Sequence, residues 1–280
     1  MKIVMFPVFR IVFLSLLACV FFASTVFAVM SDSEFIELCE KGSLQQIIDA
    51  IKNGANVNAE DKNGRTPIMY VAYYNANLEV IIAFIEASAD INAKDKNGST
   101  PLMSAVKNNR NPEVITAIIK AGADVNASDE SGATPLIFAT VYNSNPEVTT
   151  ALLKAGADVD AKNNDGWTPL LFAIEHNSSP GVITALIRAG ADVNAKTEEE
   201  MTPIIFTAIK NSNPEVVKAL ISAGADASAK DENGYTPLVW ASEYNPNPEV
   251  AKALMAAISA KAEVGSRAKV DSPVEDNLQK

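Results

Sequence analysis

"GATPLIFATVYNSNPEVTTALLKAGADVDA" occupies residues 132–161 and decides how the rest of the chain is read. Thr134-Pro135 can open a helix, because a Thr hydroxyl caps free backbone N–H groups and Pro suits the first helical position. "LIFATVY" supplies the apolar side chains of a short helix, and Asn143 stands where that helix should stop. Asn tolerates the left-handed backbone of a C-terminal cap, so that conformation is expected at Asn143. Asn145-Pro146-Glu147 then repeats the cap-plus-Pro logic, with Glu147 in the positive first turn of a second helix. "VTTALLKA" is that helix, Gly156 ends it, and "ADVDAKNNDG" is a polar turn leading to Thr168-Pro169.

The same phrases recur on both sides. Thr-Pro pairs place Thr at 66, 100, 134, 168, 202 and 236, so every interval is 34 residues. "NSNPEV" at 143–148 returns at 211–216, with "NRNPEV" at 109–114 and "NPNPEV" at 245–250. Self-similarity at a fixed period of this size marks a repeat architecture. The repeated phrase therefore reads as a joint between two helices and not as a site used many times.

This turn–helix–helix unit resembles the ankyrin repeat, on its Gly-x-Thr-Pro-Leu and Gly-Ala-Asp-Val-Asn signatures. The resemblance runs over residues 31–260. It implies an all-α ankyrin-repeat solenoid of about seven helix-turn-helix units joined by short β-hairpin-like turns. The units fall near 31–59, 60–93, 94–127, 128–161, 162–195, 196–229 and 230–262. Where the family carries His three residues after the Thr, this chain has Met69, Met103, Ile137, Leu171, Ile205 and Val239. One extra residue precedes the second helix, which makes the step 34 where about 33 is usual. "EEEM" at 198–201 lacks the turn Gly, which predicts a distorted hairpin there. The first unit has Ser33-Glu34 in place of Thr-Pro. In the last, Ile258 falls where Gly should be, so helix is expected to run on into "AAISAKA". Residues 263–280 are polar and poor in apolar side chains, which predicts a disordered tail.

The first 28 residues stand apart. Lys2 and Arg10 precede the apolar run "IVFLSLLACVFFASTVFA", and Val26 with Ala28 gives a small-x-small cleavage pattern. This reads as a secretory signal peptide. An uncleaved membrane anchor over 11–30 and a lipidated Cys19 in "LLAC" stay open as alternatives. Removing the leader with its two basic residues leaves 21 basic against 34 acidic residues, a net charge of −13. That sign argues against nucleic acid and anionic membrane as partners. Cys39 is then the one remaining cysteine, so no internal disulfide is available and packing alone must hold the fold. Export without disulfides fits a periplasmic or secreted monomer that does not insert into the membrane after cleavage.

Little in the chain suggests catalysis. His176 is the only histidine, so His-based metal clusters and Cys/His zinc spacing are missing from the sequence. "DKNG", "DENG" and "NNDG" contain what a tight turn needs and lack the distal Glu of a calcium loop. Glu198, Glu199 and Glu200 read as a solvated edge. No cofactor and no metal are expected, and a carboxylate-based hydrolase is the rival reading from another class.

Function is sought where the copies differ. In ankyrin-like arrays the resemblance implies a concave binding face built from the turn tips and the exposed edge of each first helix. The residue before each Thr there is Arg65, Ser99, Ala133, Trp167, Met201 or Tyr235. Seven and eight residues after the Thr come Tyr73 and Tyr74, Tyr142, His176 and Tyr244. Tyr, Trp, Met and Arg are enriched at protein-binding hot spots. The expected site is therefore Arg65, Tyr73, Tyr74, Tyr142, Trp167, His176, Met201, Tyr235 and Tyr244, holding a protein partner. A secreted effector that acts on a foreign protein would use the same physics. Phe138, Phe172, Phe206 and Trp240, four after the Thr, are expected in the core.

Overall fold

The computed structural model describes residues 30–270 except 76, 177 and 178; the leader reading and residues 271–280 lie outside them. The described residues form fourteen α-helices in seven antiparallel pairs and contain no strand. They are α1 Asp32–Lys41 and α2 Leu44–Lys52, α3 Pro67–Tyr74 and α4 Leu78–Glu86, α5 Pro101–Asn108 and α6 Pro112–Lys120. There follow α7 Pro135–Tyr142 and α8 Pro146–Lys154, α9 Pro169–His176 and α10 Pro180–Arg188, α11 Pro203–Lys210 and α12 Pro214–Ser222. The last pair is α13 Pro237–Tyr244 and α14 Pro248–Val270.

Most of these helices have eight or nine residues, too few to persist alone in water. Their stability comes from stacking. Ile68, Leu102, Leu136, Leu170 and Ile204, two after each of the first five Thr, are fully buried. In the second helices a Val and a residue four later share one face, as Val114 with Ile118 and Val148 with Leu152. These side chains are also fully buried, so each pair closes the core of the next. First helices pack more closely on one another than second helices do, and the stack accordingly curves toward the first-helix row.

Local chemistry sets the helix ends. The hydroxyls of Thr100, Thr134, Thr168 and Thr236 accept from the N–H three residues on (3.3, 3.4, 3.4 and 3.5 Å). In place of the family His, the thioether of Met69 accepts from the Thr66 N–H and that of Met103 from the Thr100 N–H (3.5 and 3.4 Å). In the first unit the cap is Ser31, two residues before the Ser33 expected from register, because Glu34 completes its capping box.

Three expectations need correction. Asn143 is not left-handed: its φ of −120° and ψ of 111° are extended, as are those of Asn75, Asn109, Asn211 and Asn245. The reason is local, because in all five the side-chain Oδ1 accepts from the N–H two residues on, and at Asn143 and Asn245 a bridge to the preceding unit is added. Asn143 Nδ2 donates to the carbonyl oxygens of Val106 and Asn109 in the preceding unit, both at 2.9 Å. Its Oδ1 accepts from the Asn145 N–H at 3.0 Å, and Asn145 Oδ1 accepts from the Glu147 N–H. Asn245 repeats the pattern on Ala208 and Asn211 (2.8 and 3.1 Å).

Nor is the "EEEM" hairpin distorted. Glu200 adopts a φ of +60° where the other turns have Gly, and the Thr197 N–H still donates to the Met201 carbonyl (3.1 Å). Finally, helix replaces the disordered tail expected from 263 as far as Val270. No Gly cap stands at Ile258, and the Ala-, Lys- and Glu-containing stretch that follows favours continuation.

A second ladder joins the turns. Asn92, Asn126 and Asn194 donate to the carbonyls of Gly122, Gly156 and Gly224 (2.9, 3.0 and 3.1 Å). Each also accepts from an N–H of the next turn, at Asp124, Asp158 and Asp226. Asp160 holds the same place in the fourth unit. It accepts from the Asp192 N–H at 2.9 Å, but an ionised carboxylate has no N–H for the Gly190 carbonyl. Asp160→Asn is expected to supply that bond and stabilise the protein by about 0.5–1.5 kcal/mol. A urea midpoint that stays put or falls would count against the ladder.

Candidate functional site

The concave face is built on the first helices, and i, i+4 spacing decides what it carries. Residues four and eight after each Thr lie one above the other there. Tyr70 stacks with Tyr74 at 6.4 Å between ring centroids, Phe138 meets Tyr142 at 6.0 Å, Phe172 stacks with His176 at 6.0 Å and Trp240 meets Tyr244 at 5.1 Å. Four of these helices thus present an aromatic pair. Tyr74, Tyr142 and Tyr244 are 54%, 52% and 60% exposed, and Tyr235 is 48% exposed, so the outer rings are free to be covered.

The inner rings of this row correct the core assignment. Phe206 is buried, but Phe138, Phe172 and Trp240 are half-buried and form the floor beneath the exposed rings. Trp167 adds cover to two of these rings. It lies over Phe172 at 5.2 Å and Phe206 at 5.0 Å, bridging two units and covering the second ring. Trp167 and Met201 are themselves half-buried against the core. Tyr73 packs edge-on against Tyr74 at 4.8 Å, and His176 and Arg65 are exposed.

Two of the inner residues carry a polar tip, and both tips find the same partner. The Tyr70 hydroxyl donates to Asp61 Oδ2 at 2.8 Å, and the Trp240 Nε1–H donates to Asp231 Oδ2 at 2.9 Å. These Asp residues open the turns: Oδ1 of Asp61 accepts from the Asn63 and Arg65 N–H groups. Burial raises the Asp61 pKa, but the bonds from Arg65, Tyr70 and Asn63 outweigh it and hold the carboxyl below its ordinary range.

Charge alternates along the face. Lys107 lies over the Tyr142 ring at 4.8 Å from its centroid, and Lys210 pairs with Glu175 at 3.3 Å. Glu198, Glu199 and Glu200 are exposed; Glu200 pairs with Lys196, and the Thr197 hydroxyl donates to Glu199 at 2.8 Å. That bond holds the Glu199 carboxyl below its usual range, the opposite of what a general acid requires. Cys39 is buried in α1, and burial pushes its thiol up to about 12, far from the range of a reactive thiolate. Among the described residues no group of three or more His, Cys, Asp or Glu could hold a metal ion, and no helix is long and apolar enough to cross a membrane.

A family model of ankyrin repeats (3 copies) matches residues 35–129, 109–197 and 176–267. These stretches cover most of the chain, which belongs to the ankyrin-repeat family. Ankyrin repeats are in general protein–protein interaction modules, and proteins built from them are typically non-enzymatic binding scaffolds. Comparison with curated proteins finds no match.

Proposed function

We propose that the protein is an exported, monomeric binding module that holds a segment of a partner protein along the first-helix face. The carrying observation is the row of stacked aromatic pairs whose outer tyrosines stay half exposed. Rings of this kind supply large contact area at low entropic cost, which is why they dominate interface energetics. The acidic chain disfavours nucleic acid as that partner, and the leader supports delivery to the periplasm or beyond.

The test uses tyrosines that can be truncated without opening the core. Tyr235→Ala with Tyr244→Ala should keep wild-type helicity and thermal unfolding. As bait in the native compartment, followed by mass spectrometry, this variant should lose proteins that wild type retains. Identical capture by the two baits would show the face to be the wrong one. The mass of the recovered bait, expected to start at Val29, tests export by the same experiment.

A further inference from the structure

The aromatic row has one missing rung. Four residues after the Thr stand Tyr70, Ser104, Phe138, Phe172, Phe206 and Trp240. Ser104 is the only one of these six without a ring. Its place is a recess of about 240 Å³. Tyr70, Tyr73 and Tyr74 wall it on one side and Phe138 on the other, with the thioethers of Met69 and Met103 beneath.

The recess also holds a carboxylate oxygen without a close donor. Asp95 opens this unit's turn as Asp61 and Asp231 open theirs, and its Oδ1 accepts from the Asn97 and Ser99 N–H groups, both at 2.9 Å. Where Tyr70 and Trp240 donate to the Oδ2 of those two residues, Asp95 Oδ2 has, among the described residues, only the Arg65 Nε at 3.8 Å. The Asp95 side chain lines the recess and is 7% exposed. Lys107 stands at the rim, and among the described residues it joins no ion pair.

We propose that this recess is a specificity pocket for a tyrosine or tryptophan side chain of the partner, flanked in the partner by acidic residues. The incoming ring takes the empty place between Tyr70 and Phe138. Its hydroxyl or indole N–H donates to Asp95 Oδ2, as Tyr70 and Trp240 do within their own units. The neighbouring carboxylates meet Lys107 and Arg65. The proposal rests on the binding-face reading above and names the residue that face selects.

The chain itself supplies tolerated substitutions. Phe occupies the Ser104 place in three other units, so Ser104→Phe fills the recess with a ring the fold accepts. Asn163 opens the fifth unit's turn and accepts from the Asp165 and Trp167 N–H groups, so Asp95→Asn keeps the turn closed. The probes are fluorescein-labelled peptides Gly-Ser-Asp-Glu-X-Glu-Asp-Ser-Gly, with X as Tyr, Trp, Phe or Ala, read by fluorescence anisotropy. Wild type should bind the Tyr and Trp peptides about tenfold or more tighter than the Phe peptide, through the bond to a charged acceptor, and the Ala peptide more weakly still. Ser104→Phe should abolish binding while keeping wild-type circular dichroism and thermal unfolding. Asp95→Asn should shrink the Tyr-over-Phe preference.

Equal binding of the Tyr and Ala peptides, or unchanged binding by Ser104→Phe, would overturn the proposal. So would N-acetyltyrosine amide binding as tightly as the peptide, which would assign the recess to a small molecule. Ile82→Ala removes an exposed side chain of α4 outside the recess lining and should leave peptide binding intact. If peptide binding fails while Tyr235→Ala with Tyr244→Ala still loses captured proteins, the pocket is wrong and the binding face stands.

Discussion

Phe84→Ala is expected to destabilise the protein by about 3–5 kcal/mol, with the loss concentrated at one end of the stack. Phe84 is fully buried in α4, and its ring stacks on that of Phe35 in α1 with centroids 5.9 Å apart. This pair ties the first unit to the second. Truncation removes the ring's contacts and leaves a cavity that short, mutually supported helices cannot collapse around. In a solenoid each unit touches only its neighbours, so the penalty falls on that interface. Urea unfolding should become broader or resolve an early phase. Amide hydrogen exchange should quicken over residues 32–52 while α9 to α12 keep their protection. Uniform acceleration along the whole chain would show the array to be one cooperative unit, contrary to the expectation.

The second large effect lies at a joint. Asn143→Ala should cost about 2–4 kcal/mol, because three hydrogen bonds go and buried main-chain groups lose a partner. Asn143 is 1% exposed, and its amide bridges to Val106 and Asn109 as well as closing its own turn. Asn75→Ala is the comparison. Asn75 Oδ1 accepts from the Asn77 N–H at 3.1 Å, but among the described residues its amide donates to no earlier carbonyl. The first unit passes from α1 to α2 through Gly42 and Ser43 alone, without the extra residue that presents a carbonyl there. Asn75→Ala should therefore cost about 1 kcal/mol. Equal urea midpoints for the two variants would remove the bridge as the cause of the difference.

The helix starts were legible because their signal is local. Each Thr-Pro at 34-residue spacing begins a helix at its Pro, and each Asn-Pro-Glu begins another. The Asn143 backbone was not legible. Residue type permits a left-handed cap as well as an extended Asx turn, and the joints take the second, with Oδ1 accepting from the N–H two residues on. Burial of the row four after the Thr failed because it depends on other units. Phe138 and Phe206 are the same residue in the same register, yet Trp167 covers only the second. Ser104 is visible as the odd residue among the units, but its meaning depends on Asp95 lining the space a ring would fill.

The joints have a further consequence. Asn143 and Asn245 donate to the main-chain oxygens of Val106 and Ala208, and to those of Asn109 and Asn211. The bridge thus recognises a position along the backbone and ignores which side chain stands there. At these two joints a duplication or excision of one whole 34-residue unit would still deliver a main-chain acceptor of the same kind, whereas Asn109 Nδ2 is buried without such a partner among the described residues. Such a chain can lengthen, shorten or exchange internal units by recombination without rebuilding those two seams, while the residues that face a partner are reshuffled with each event.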